Sequence, residues 1–125
     1  MAVMFGVSAN LRIRRSAQSG NYTMTAAWQT VYSNSQNYAW FFAAGEIDLS
    51  NMVAGDDVAI RISKRNIASG AYILKDYILF EDAQPTNQQK ITIGPIMDTF
   101  GVLVEMQQTV GALITCYCEF FDAVR

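Results

Sequence analysis

The chain has 125 residues, 51% of them hydrophobic and 16% charged, and nine basic against eleven acidic residues leave a formal net charge of -2. This length suits a single domain spanning residues 1–125, and the composition excludes intrinsic disorder, which needs low hydrophobicity and high charge. Histidine is absent, which excludes Ser-His-Asp and Cys-His catalysis, histidine-based zinc sites and a histidine pH switch.

Residues 1–7 are apolar but too short for a signal h-region, with no basic n-region in front, and residues 3–8 read as a strand. No apolar stretch approaches the roughly 20 residues of a membrane helix. The expectation is a protein made in a cytoplasm, without export or a membrane partner. Further strands are expected at residues 11–16, 21–32 and 38–49. Trp28, Thr30 and Tyr32 would share one face, as would Tyr38, Trp40 and Phe42, and pairing of the two strands would build an aromatic platform. Ser33-Asn34-Ser35-Gln36-Asn37 between them reads as an uncharged polar loop. Residues 49–54 are the one place for a helical turn, with Ser50 or Asn51 as its cap.

Period-two alternation is clearest at residues 57–64, where Val58, Ile60 and Ile62 face one way and Asp57, Arg61 and Ser63 the other. Residues 71–81 carry Tyr72, Leu74, Ile78 and Phe80 on one face and Ile73, Lys75, Tyr77 and Leu79 on the other. A strand of that kind is expected to be buried on one face and partly covered on the second. Residues 82–87 form a loop with Pro85, residues 84–89 are uncharged and polar, 90–93 form a short strand, 101–107 another with Val102, Val104 and Met106 inward, and 112–123 the last. About eight or nine short strands at sandwich-like spacing predict an all-β fold: an antiparallel two-sheet sandwich of the jelly-roll type. An immunoglobulin-like sandwich is the alternative, but the Cys…Trp…Cys spacing is absent.

Cys116 and Cys118 lie at i and i+2 of one strand, with their Cβ bonds parallel, which is poor geometry for a disulfide. They read as two small buried thiols. Zinc would need further ligands that the chain lacks, so neither a metal site nor a cofactor is expected. Asp56-Asp57 and Glu81-Asp82 flank strands and read as solvated turn acids; a calcium site at Asp56 and Asp57 is possible on ligand chemistry alone. No Gly-rich phosphate loop or other enzyme motif appears, so no catalytic residue and no small-molecule substrate are expected.

Arg12, Arg14 and Arg15 form the densest basic cluster, with Arg12 and Arg14 on one face around Ile13. Three arginines on a net negative body offer too few phosphate contacts for nucleic-acid binding. They suit a strand edge or an acidic neighbouring subunit.

The cadence from residue 52 onward carries a resemblance: Val53-Ala54-Gly55-Asp56-Asp57-Val58-Ala59-Ile60-Arg61-Ile62, then Ala68-Ser69-Gly70-Ala71-Tyr72-Ile73-Leu74, Phe80-Glu81-Asp82-Ala83-Gln84, and Gly101 to Gly111 with its Gln107-Gln108-Thr109-Val110-Gly111 segment. Over about residues 45–121 it resembles small β-rich virion proteins of tailed bacteriophages, including jelly-roll head-decoration (cement) proteins. The resemblance implies a capsid-surface protein, often trimeric, that holds coat subunits together. The partners expected are the major capsid protein and further copies of this chain, as a homotrimer on a virion after synthesis in the host cytoplasm. Interface residues are expected at Arg12, Arg14, Trp28, Tyr32, Tyr38 and Trp40, because interfaces favour aromatic residues and arginine. The alternative function is a carbohydrate-binding module stacking sugars on the same aromatic residues.

Overall fold

The computed structural model describes residues 12–124. The expected strand at residues 3–8 lies outside them. Eight strands run in the order β1 (Arg12–Arg15), β2 (Gly20–Thr23), β3 (Gln29–Asp48), β4 (Asp57–Arg65), β5 (Ile73–Glu81), β6 (Lys90–Ile93), β7 (Ile96–Val110) and β8 (Thr115–Val124). Every pairing is antiparallel. No described residue is helical, so the expected turn at residues 49–54 is not a helix. It is a pair of hydrogen-bonded bends, Met52 N–H to Leu49 O and Asp56 N–H to Val53 O. Asp48, rather than Ser50 or Asn51, supplies the side-chain acceptor, taking the Ser50 N–H at 2.8 Å.

One hydrogen-bonded network makes both layers of the sandwich because β3, 20 residues long, belongs to each. Its first half pairs with β7, and beyond β7 lie β4 and then β5. Its second half, from Phe42 to Asp48, pairs with β8, and Gly45 to Asp48 also pair with β6. β8 carries β1 and β2 on its other side. Two strands expected as separate pieces around a loop are thus one bent strand, and the 33–37 segment is strand rather than loop.

The core lies between the layers. Val58, Ile60 and Ile62 of β4 and Val102, Val104 and Met106 of β7 face Cys116, Cys118 and Phe120 of β8. Burying each large aliphatic or aromatic side chain of this kind contributes about 1.5–3 kcal/mol. Tyr32, Phe42 and Phe120 stack at the middle, with Tyr32 ring centroids 5.0 Å from Phe42 and 4.9 Å from Phe120. The pile needs Gly45 beneath it, because a Cβ there would lie 2.9 Å from the Phe120 ring.

The connections are held by buried polar side chains. Gln108 is buried; its amide donates to Val110 O at 3.1 Å and Ala112 O at 2.8 Å, and its Oε1 accepts the Ile114 N–H at 2.9 Å. It fastens the whole β7–β8 hairpin. Asp56 is also buried, which corrects its reading as a solvated turn acid. Its Oδ2 accepts the Val53 N–H at 2.9 Å, and its Oδ1 would lie 2.0 Å from a Cβ at Gly111, whose φ of 96° also favours glycine.

β5 corrects a second expectation. It is the outer strand of its layer and is open on both faces, with Ile73 56% and Tyr77 51% exposed. A bulge at Lys75, where Ile62 pairs with Asp76 but Ser63 with Leu74, also flips the alternation. Leu74 therefore shares the outer face with Tyr77 rather than the inner face with Ile78.

Candidate functional site

The outward face of the β3–β7–β4–β5 layer carries one row of directly opposed residues: Thr30, Glu105, Arg61 and Tyr77. Arg61 holds Glu105 in a two-pronged ion pair, Nε–H to Oε1 at 2.8 Å and an Nη2 hydrogen to Oε2 at 3.1 Å. Its guanidinium lies 4.1 Å from the Trp28 ring centroid, and Tyr77 meets Trp28 edge-on at 6.2 Å and 71°. Charge, planar stacking and aromatic edge thus lock β4, β5 and β7 to the residue just before β3. The Glu105 hydrogen bond raises the Arg61 pKa still further. Sequence reading missed this cluster. Its signal was two opposite charges at outward positions of two alternating strands, but only the register brings them opposite.

Of the six residues expected at an interface, the structure scatters five over the surface and its margin and removes one. Tyr32 is 0% exposed. A bulge at Val31, between the pairs Thr30–Glu105 and Tyr32–Val104, turns it from the outer face into the core. There its hydroxyl donates to Asp122, and burial together with that bond pushes its pKa up. Asn34 donates to the Tyr32 hydroxyl at 3.2 Å and Gln36 to Asn34 Oδ1 at 2.7 Å. The residues read as a polar loop are therefore part of an ordered polar ladder. Tyr72 O–H donates to Asn34 O at 3.3 Å, and Arg65 donates to Gln36 O and Phe100 O.

Arg12 and Arg14 are exposed on β1, opposite Val124 and Asp122, with Ile13 between them 65% exposed. Arg15 instead donates to the Tyr117 hydroxyl and lies 5.9 Å from that ring. Tyr38 is exposed, whereas Trp40 is half-buried against the core. The expected pair of aromatic strands does not form a platform, since both sets of residues sit on β3 and Phe42 and Tyr32 point inward. The Trp28 ring face is occupied by Arg61.

Cys116 and Cys118 are free, buried thiols on one face of β8. Burial pushes the Cys116 thiol up to about 11 and the Cys118 thiol up to about 12, with Asp48 adding to both. Such thiols stay protonated and unreactive at neutral pH. Among the described residues no group of three or more Cys, Asp or Glu side chains is placed to hold a metal ion. A cleft of about 180 Å³ opens between β5 and the β6–β7 connection, lined mainly by isoleucines, among them Ile60, Ile62 and Ile78. Its polar side chains are those of Lys75, Asp76 and Thr92.

The architecture is thus an all-β antiparallel sandwich of the jelly-roll type, as the alternation predicted. Solved structures share it. The VP2 protein of an infectious bursal disease virus subviral particle matches 90% of this chain with a TM-score of 0.55 at 10% identity. A chain of infectious bursal virus derived T=1 particles matches 90% of this chain with a TM-score of 0.53 at 11% identity. PirA matches 84% of this chain and 94% of its own, with a TM-score of 0.60 at 10% identity. The chain spans about a third of VP2's length, 32% of the subviral-particle chain. At these identities the likeness is one of fold. No protein-family model and no curated protein matches the chain.

Proposed function

We propose that the protein is a virion structural protein: a capsid decoration (cement) protein that self-associates and bridges neighbouring coat subunits. The observation that carries this reading is the character of the surface. β1 holds Arg12, Ile13 and Arg14 out to solvent, β5 exposes a run of aliphatic residues, and the Tyr38 ring is exposed on β3. Arginine, tyrosine and aliphatic side chains left outside a filled core are the materials of an assembly interface. The likeness to VP2 in a particle supports the reading, because the same sandwich there belongs to a subviral particle. PirA has that sandwich too, so the fold alone assigns no role.

In this reading apolar burial supplies the affinity, and the Arg12 and Arg14 guanidinium groups, facing acidic coat residues, set register and encounter rate. The protein catalyses no reaction, and its partners are the major capsid protein and its own copies, in a trimer of 13.9 kDa chains on the particle surface. Co-sedimentation with particles of the virus that encodes the chain tests this. Arg12→Glu combined with Arg14→Glu is expected to abolish particle binding and leave the melting temperature unchanged. Undiminished binding removes the arginine contact; absence of the chain from purified particles removes the whole reading.

A further inference from the structure

Among the described residues β5 pairs with a strand on one side only, β4, so its other side is left without a strand partner; the Tyr77 N–H is held by Asp76 Oδ1 at 3.0 Å and Glu81 O by the Gln84 amide at 3.1 Å. Soluble proteins guard such an edge with charges, bulges or an early end to the strand. Here the guards stand at the two ends. The bulge at Lys75, followed by Asp76, interrupts one end, and Asp82, with φ 64°, turns the chain away after Glu81 at the other. Between them Tyr77, Ile78 and Leu79 are regular, apolar and exposed. Ile78 is the midpoint of the segment that runs from Lys75 to Glu81.

We propose that β5 pairs antiparallel with β5 of a second copy about a two-fold axis through Ile78, continuing the sheet from one molecule into the next. Such an axis sets Ile78 against its own counterpart and, twice each, Tyr77 against Leu79, Asp76 against Phe80 and Lys75 against Glu81. The aromatic–aliphatic pairs fill the centre, and opposite charges close both ends. Other registers lose this match. An axis through Tyr77 leaves Lys75 against Leu79 and Glu81 against Ile73. One through Asp76 sets that carboxylate against itself, and one through Leu79 sets Asp76 against Asp82. The strand is therefore complementary to itself in one register, and the interface is isologous and closes at two copies. This pairing stands apart from the virion reading and does not require it; it doubles whatever unit the other surfaces build.

Sedimentation equilibrium of the full chain, from low to high micromolar concentration, tests the pairing. Leu79→Lys, on an exposed side chain, is expected to keep the β-sheet circular dichroism and halve the mass. Lys75→Glu or Glu81→Lys alone places like charges opposite and is expected to weaken association about tenfold; the double exchange restores it. Ile78→Cys oxidises to a covalent dimer, whereas the buried native Cys116 and Cys118 give none. A mass that Leu79→Lys leaves unchanged, a double exchange no better than either single one, or a wild-type chain that never doubles overturns the proposal. So does a monomer whose β5 amides resist hydrogen exchange, which would give the edge to residues 1–11 of the same molecule.

Discussion

β4 and β5 lie side by side in one layer and are both rich in aliphatic residues, yet their environments are opposite. In β4 even Ala59 and Ser63, on the outer face, are buried. In β5, which is the more apolar of the two, Leu79 is 43% exposed on the outer face and Ile78 37% exposed on the inner one. β4 has β7 on one side, β5 on the other and the core against its inner face, so it is covered from three directions. Among the described residues β5 has a strand neighbour on one side only. Burial here follows position in the sheet and not hydrophobicity, and an apolar strand left at the margin is surface to be used by a partner.

The pair Ile60 and Ile78, directly opposite across β4 and β5, gives the sharpest break of that comparison. Ile60→Ala is expected to cost about 2–5 kcal/mol in chemical denaturation, and Ile78→Ala about 0.5 kcal/mol. Equal losses would mean that β5 is covered in solution within the monomer. Next in size is Gln108→Ala, which leaves Val110 O, Ala112 O and the Ile114 N–H without their partner and should cost about 2–3 kcal/mol. A loss that small changes at Gln107, on the opposite face of the same strand, fail to reproduce would tie the cost to the hairpin.

The buried face of β8 is also sensitive to alkali. The Cys116 and Cys118 thiols ionise near 9 when unfolded but at about 11 and about 12 when folded. The stability they contribute is complete below pH 9 and falls as pH rises toward those folded values, because only the unfolded state releases its protons. Tyr32, also raised by burial, acts in the same sense. The urea midpoint should therefore drop between pH 9 and 11, and replacing both cysteines by alanine should flatten the slope. The smallest effect belongs to the outer face of the layer. Arg61→Met, in a partly exposed ion pair, should cost under about 1 kcal/mol and show itself chiefly as a change in Trp28 fluorescence.

The all-β class and most of the inward faces were legible because period-two alternation is a local property. Val58, Ile60 and Ile62 point inward as their spacing required, and so do Cys116, Cys118 and Phe120. Bulges defeated the same logic elsewhere. One extra residue at Val31 carried Tyr32 from an expected interface into the core, and another at Lys75 moved Leu74 to the opposite face. The Arg61–Trp28–Glu105–Tyr77 cluster was invisible for a related reason, since its members come from strands brought opposite only by register.

The amino-acid order alone determined the all-β class, the inward faces of β4 and β8, that two thiols share one buried face, and that no histidine chemistry is available. The tertiary structure alone decided that β3 serves both layers, that Asp56 and Gln108 are buried fasteners, and that β5 is an edge. The physical reason is range: alternation and turn propensity act within a few residues, whereas burial, register and edge position depend on which distant strands arrive alongside.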